Sequence, residues 1–380
     1  MHYFIFPDID TTIYQASASL NTGLDEILEV RKDLTDSNTN PKVSRILMKF
    51  DLSYISQSVS NGTIGNNAKY YLNLYDARPS ELTTSQSLWA YPISQSWVEG
   101  EGFSSDNPAT TDGASWNYKD DAETKTMWNG AMTASGGTWF SDVYGSQSLE
   151  WKTRDIRMDV TPIVDKWLDG TYANEGFIIK RSGSMIAGAG GSATLNTGSA
   201  EGNNERLGNM SFFSRQTNTI YPPKLEVEWY DTKWSTGSLS ALGKSELEDL
   251  QVYVKNLRPE YKEESKAKFR VCGRGRYPTK SYSNTSSEYL TQKYFPSGST
   301  LVGDGAYYSI VDASTDDVIV NYGTGSLLSC DSDGNYFNFW MNGLQSERYY
   351  KVCFRVVSGS GTTEEMVSHY DNDFEFKVVR

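Results

Sequence analysis

The chain has 380 residues, of which 35 are basic and 48 acidic, for a formal net charge of −13. That length sets a prior of two or three domains. An acidic chain with no basic stripe argues against a nucleic-acid or anionic-lipid surface as partner. Mean hydropathy is −0.54, and no apolar run reaches membrane-spanning length.

Residues 1–230 hold 18 basic and 28 acidic residues (−10), and residues 231–380 hold 17 and 20 (−3). The opening MHYFIFPDID has no basic region and only a short apolar run, so use without a cleaved leader is expected. Tyrosine is abundant, at 25 residues, which favours strands over helices. The three cysteines, Cys272, Cys330 and Cys353, lack CxxC spacing and are expected to be free thiols.

Residues 45–52 alternate, with Ile46, Met48 and Phe50 on one face, which predicts a strand packed on one side. Tyr70, Leu72 and Leu74 repeat the pattern after a turn-rich stretch containing Asn61-Gly62. Residues 79–156 show no clear period and carry Trp89, Trp97, Trp116, Trp128 and Trp139. A stretch this long is expected to carry its own structure or a function. The segment 157–180, RMDVTPIVDKWLDGTYANEGFIIK, parses residue by residue. Met158 and Val160 end a strand, Thr161 is placed as N-cap, and Pro162 takes the first helical position. Ile163, Val164 and Trp167 share a helix face, and Gly170 stops the helix. A strand, FIIK, follows Asn174 and Gly176. One short helix is therefore expected to plug a set of strands with Trp167. Residues 182–209 are rich in Gly, Ala, Ser and Asn and read as a long loop, and Leu225, Val227 and Trp229 alternate in a closing strand.

The pattern at Asp159, Thr161, Trp167, Gly176 and Phe177 resembles the DNRLRE-type module, a β-sandwich related to carbohydrate-binding modules of cell-surface proteins. DTTIYQASASLNTGL (10–24), SRILMKFDLSYI (44–55), YYLNLYDAR (70–78), WVEGEG (97–102), SWN (115–117), FFS (212–214) and YPPKLEVEWY (221–230) follow it in order. The resemblance covers about the first 230 residues and implies a jelly-roll-like sandwich. It departs from the family at residues 27–41, a long insert before the FDLS strand.

Residues 231–244 read as a linker, and a second domain, 245–380, is expected to follow. Val252 and Val254 start a strand that pairs with AKFRVC (267–272). Residues 307–311 and 318–320 flank an acidic turn, and residues 335–341, 350–357 and 374–378 supply further strands. Leu344 followed by Tyr350 resembles the tyrosine corner of immunoglobulin and fibronectin type III domains. The expected architecture is all-β: a jelly-roll-like sandwich with one short helix (1–230), a linker, and an immunoglobulin-like sandwich.

No catalytic set assembles. Glu99 and Glu101 lie in a glycine loop, and a glycosidase needs two carboxylates at a defined separation. Asp331, Asp333 and Asn335 lack EF-hand spacing and read as a hairpin turn. His2 and His369 alone supply no histidine metal site, and Gly273-Arg274-Gly275-Arg276 lacks the phosphate-loop signature. No cofactor is expected. Exposed Trp and Tyr rings stack on sugars, and Trp97 and Trp116 are the candidate glycan contacts. Residues 267–282 (AKFRVCGRGRYPTKSY), YYSIVDASTDD, and SCDSDGNYFNFWMNGLQSERYYKV resemble virion structural proteins of contractile-tailed marine bacteriophages. That resemblance implies a non-enzymatic component of the neck, tail or baseplate, located in the virion and docked in several copies on other virion proteins. A glycan-binding adhesion module is the alternative.

Overall fold

The computed structural model describes residues 1–34, 41–65, 67–78, 85–122, 124–128, 136–149, 155–181, 201, 206–277, 292–298, 303–360, 362, 365–371 and 374–380. Most of the expected loop 182–209 lies outside the described residues. The strands begin with β1 (His2–Ile5), β2 (Ile9–Tyr14), β3 (Ile27–Leu34), β4 (Pro41–Lys49), β5 (Lys69–Leu74), β6 (Gln86–Pro92) and β7 (Tyr118–Asp120). There follow β8 (Thr126–Met127), β9 (Gly145–Leu149), β10 (Ile156–Asp159), β11 (Phe177–Lys180), β12 (Gly208–Phe213) and β13 (Lys224–Glu228). The second half holds β14 (Ser240–Ala241), β15 (Leu250–Lys255), β16 (Glu260–Lys262), β17 (Lys266–Gly275), β18 (Lys293–Tyr294) and β19 (Gly305–Asp312). It closes with β20 (Val318–Val320), β21 (Ser329–Asp331), β22 (Gly334–Trp340), β23 (Arg348–Ser358), β24 (Met366–Tyr370) and β25 (Glu375–Val379). The helices are α1 (Ser53–Ser60), α2 (Thr161–Leu168) and α3 (Lys244–Glu248). The fold is all-β, built of antiparallel sandwich sheets with short helices.

The chain forms two compact units. One comprises Ile5–Ser60 and Lys69–Glu226; the other comprises Met1–Phe4, Asn61–Ala68 and Val227–Arg380. The first four residues therefore group with the C-terminal half, where the Met1 ammonium donates to the Trp229 carbonyl at 2.6 Å and to Asp231 at 3.0 Å.

In the first unit, one sheet runs β12-β3-β4-β11-β6-β9 with β2 also on β4, and β5 lies between β13 and β10 in the other. β4 and β11 are apolar on both sides. Ile46, Met48, Phe177 and Ile179 face one way, while Val43, Leu47 and Ile178 join a second cluster with Trp97, Ala114, Trp116 and Trp128. The irregular, tryptophan-rich region thus supplies a lid that covers the far face of the sheet. That is why residues 43–48 are buried on both faces rather than one.

α2 plugs the sandwich as its periodicity predicts: Ile163, Val164 and Trp167 are buried, and Trp167 meets Phe177 edge-on at 4.7 Å. Its cap differs. The helix starts at Thr161 with Val160 as N-cap, and the Asp159 carboxylate accepts from the Thr161 N–H at 2.9 Å. The Thr161 hydroxyl instead accepts from the Tyr70 N–H at 3.0 Å and stitches the helix to β5. Gly176, with φ +89°, passes so close to β4 that a Cβ would lie 2.3 Å from the Met48 carbonyl oxygen. Periodicity predicted one helix here, and α1 is a second. Asp51 accepts from both the N–H and the hydroxyl of Ser53 at 2.8 Å, a cap that reads in sequence as the end of a strand.

In the second unit, one sheet runs β14-β18-β17-β22-β21 with β15 on β17, and the other runs β16-β25-β23-β19-β20 with β24 on β23. Its core is a ladder of rings: Phe269 stacks on Phe337 at 4.8 Å, and Phe337 on Tyr308 at 4.0 Å. The Tyr350 hydroxyl donates to the Gln345 carbonyl at 3.1 Å and accepts from the Gln345 N–H at 2.8 Å, so both sides of the corner are tied. The expected linker carries structure: residues 233–235 run along β21, where the Cys330 N–H donates to the Lys233 carbonyl at 2.9 Å and the Ser235 N–H to the Cys330 carbonyl at 3.0 Å, and β14 pairs with β18.

Candidate functional site

The motif residues of the first unit converge on the loops that join its strands. Asn21 sits at the centre. Its amide donates to the carbonyls of Glu99 (2.6 Å) and Ala114 (2.9 Å), and its oxygen accepts from the N–H groups of Gly102 (2.9 Å) and Gly23 (3.2 Å). Glycines close around it: a Cβ on Gly100 would lie 2.4 Å from Asn21 Oδ1, and one on Gly102 the same distance from the Asn21 carbonyl oxygen. Beside it, the Thr22 hydroxyl donates to the Thr12 carbonyl at 2.7 Å and accepts from the Thr12 N–H at 3.2 Å. The NTG and WVEGEG segments are therefore one hydrogen-bonded clip.

Glu99 completes it. Its Oε1 accepts from the Asp10 N–H at 3.0 Å and from Arg215 Nε at 3.1 Å. Asp10 is fully buried; its Oδ2 accepts from the Arg215 N–H at 2.7 Å, and its Oδ1 has no partner among the described residues. Burial, reinforced by the nearby Glu99 charge, pushes Asp10 up to about 7 against the pull of Arg215, and burial also raises Glu99. Glu101, by contrast, is exposed, and its N–H donates to Asp112. Glu99 and Glu101 therefore do not form a carboxylate pair.

A cleft of about 290 Å³ opens next to this clip, walled by the 16–26 segment, the outer face of β3 and Ser104. Asp25, Glu26 and Glu29 line it, with Arg31 and Arg78. The three carboxylates are hydrogen-bonded by neutral groups: the Ser104 N–H, the Asn218 amide, and Tyr14 and Asn209 together. Arg31 pairs instead with Asp33 at 3.2 Å. Burial holds the Asp25 carboxyl and the Tyr14 phenol above their ordinary values. The recess offers hydroxyl, carboxylate and guanidinium groups to a polar ligand.

The two candidate sugar contacts are in the core. Trp97 is 7% exposed and donates Nε1–H to the Glu175 carbonyl at 2.9 Å. Trp116 is 4% exposed and lies under the Arg45 guanidinium, 4.7 Å from its ring centre. Neither presents a face to a sugar; both serve as lid-packing rings. Sequence reasoning passed over what lies beneath. Arg45 and Lys180 are fully buried and share Glu201, at 2.8 Å and 3.1 Å, and Trp139 covers both cations. Burial drops Lys180 to about 8, with Glu201 opposing and Arg45 assisting. Burial drives Glu201 up, but its two cations more than offset this and hold it below its ordinary value. The available signal was a lone Arg inside SRILM and a lone Lys ending FIIK, charges in otherwise apolar strands.

In the second unit, Asp331 and Asp333 belong to a hairpin rather than a calcium loop. β21 meets β22 antiparallel with Asp331 opposite Gly334, and Asp331 is engaged by Arg270 and by Lys268 at 2.9 Å. Hydrogen bonds from Arg270, and then Lys268, hold the Asp331 carboxyl well below the usual carboxylate range against partial burial. The three thiols are free, with Cys272 and Cys330 buried and Cys353 partly so.

No protein-family model matches the chain, and no curated protein matches it. A crystal structure of a DUF4785 family protein from Legionella pneumophila subsp. pneumophila str. Philadelphia 1 is similar at 9% identity, with a TM-score of 0.18. The likeness covers 100% of this chain and 64% of that one, so this chain spans about two thirds of that protein's length. A likeness of that size carries no argument about fold or function.

Proposed function

We propose that the chain is a non-enzymatic structural component of a contractile-tailed bacteriophage virion, in the neck, tail or baseplate, where its sandwiches dock on other virion proteins. Two sequence resemblances, one for each half, motivate the reading. The structural observation that carries it is the use to which the polar motif residues are put. Asn21, Glu99, Asp10 and Arg215 hold loops to one another, and Trp97 and Trp116 pack a lid. The motifs fix a shape, which is what a docking component needs. Mass spectrometry with cross-linking on purified, disassembled particles of a phage encoding this chain tests it. Stoichiometric recovery, with cross-links to neck, tail or baseplate proteins, is the expected result; absence from the particle overturns it.

A second reading, glycan adhesion, is favoured by a different group of rings. Tyr144 is 45% exposed and sits 4.6 Å from Trp89, and Phe140 stacks on Tyr172 at 3.8 Å. Glycan-array binding that disappears in Tyr144→Ala, with the fold intact, supports this reading; an array with no signal removes it.

A further inference from the structure

We propose that Asp10, Glu99 and Arg215 form a proton-operated latch on the 97–113 loop. With Asp10 neutral, the loop is clamped; when Asp10 loses its proton to solvent, its buried charge faces the half-buried Glu99, which already holds the Arg215 guanidinium, and the loop loosens, taking with it the Ser104 wall of the cleft. The inference does not depend on the virion reading.

The geometry sets this up. Asp10 projects from β2 into a fully buried position and keeps one oxygen without a donor among the described residues, an unfavourable setting for an ionised carboxylate. Glu99, from the loop, faces it closely enough to accept the Asp10 N–H at 3.0 Å. Arg215, from the segment after β12, gives its backbone N–H to Asp10 and its Nε–H to Glu99, so the guanidinium pairs with Glu99 while Asp10 receives only a neutral amide. Further out, Arg215 also reaches the Asp8 carbonyl, and Asp8 in turn faces Asp51 and Lys49. Two carboxylates and a guanidinium supply too few ligands for a metal ion, and a proton is the simplest group that relieves the burial. The consequence reaches the cleft through short links. Gly102 donates to Asn21 and accepts from the Leu24 N–H, and two residues on the Ser104 N–H donates to Asp25 in the cleft.

Asp10 is held near 7 in the fold against 3.8 for an ordinary aspartate. Between those values the native chain binds more protons than the unfolded one. The stabilisation is therefore complete below pH 3.8, declines as pH rises through the window, and is lost above about 7. Amide exchange by mass spectrometry on the intact protein, corrected for intrinsic rates, reads the latch directly. From pH 5.5 to 8.5, exchange in the 97–106 peptide is expected to accelerate about tenfold, and the melting temperature to fall by about 5 °C. In Asp10→Asn both responses flatten. The same pH dependence in Asp10→Asn, or none in the parent, overturns the latch. If the variant does not fold, ¹³C-carboxyl NMR of the parent protein decides: Asp10 titrating near 7 supports the latch, and titrating near 4 overturns it.

Discussion

The two units close a sandwich with different chemistry. The second does it with rings: Phe269, Phe337, Tyr308, Phe354 and Phe376 fill the space between its sheets, and pairs such as Arg270–Asp331 and Lys293–Glu246 stay at the partly exposed rim. The first must cover a sheet on both faces, and on one of them the cover is a long loop region. There the loop brings tryptophans to cover the sheet, and the cations of the strands beneath are buried with Glu201. A ring ladder is indifferent to pH and salt. A buried ionic cluster fixes one arrangement but leaves large desolvated charges behind whenever a partner is lost.

Four substitutions sharpen that contrast, in descending effect. Glu201→Gln leaves Arg45 and Lys180 without a carboxylate and is expected to destabilise the first unit by about 3–5 kcal/mol. Denaturant-dependent amide exchange should show that unit opening first. Phe337→Ala removes the central rung of the ladder and is expected to lower the stability of the second unit by about 3 kcal/mol, read the same way. A smaller loss there than for Glu201→Gln in the first unit is the expected order, and the reverse order breaks the comparison. Tyr350→Phe removes both hydrogen bonds to Gln345 while keeping the ring, for a loss of about 1–2 kcal/mol in urea titration. Asp331→Asn, at the rim and already screened by solvent, should change stability by less than about 1 kcal/mol, with the small loss disappearing in high salt.

Much of the second unit was legible in the sequence, because its strands alternate cleanly. Val254 pairs with Val271 and Ile310 with Val320, and Val352, Phe354 and Val356 point inward as their spacing predicts. Cys353, on the opposite parity, is the least buried of the three thiols. The first unit was legible at α2 and the flanking strands, where period and turn glycines agree. The lid was not, because its residues have no period: Trp97, Trp116 and Trp128 are brought together by tertiary contacts across a stretch without regular spacing. The same applies to the site. Asp10 with Asn21, Glu99, and Arg215 come from three separate stretches of the chain, so nothing in the sequence showed that they meet. Thr161 shows the finer limit. Its residue type suits an N-cap, but a nearby β5 amide claims the hydroxyl and Asp159 takes over the cap.

The glycine collar around Asn21 has a consequence for how this chain changes over generations. Loops of Gly, Ser and Asn ordinarily absorb substitutions freely. Here a single methyl group at position 23, 100, 102 or 113 would drive into backbone or into Asn21 at 2.4–2.6 Å. The loops whose composition suggests the most freedom to drift are therefore among the most confined. A saturation library should recover variation on the outward side chains of the strands, while these four glycines stand unaltered.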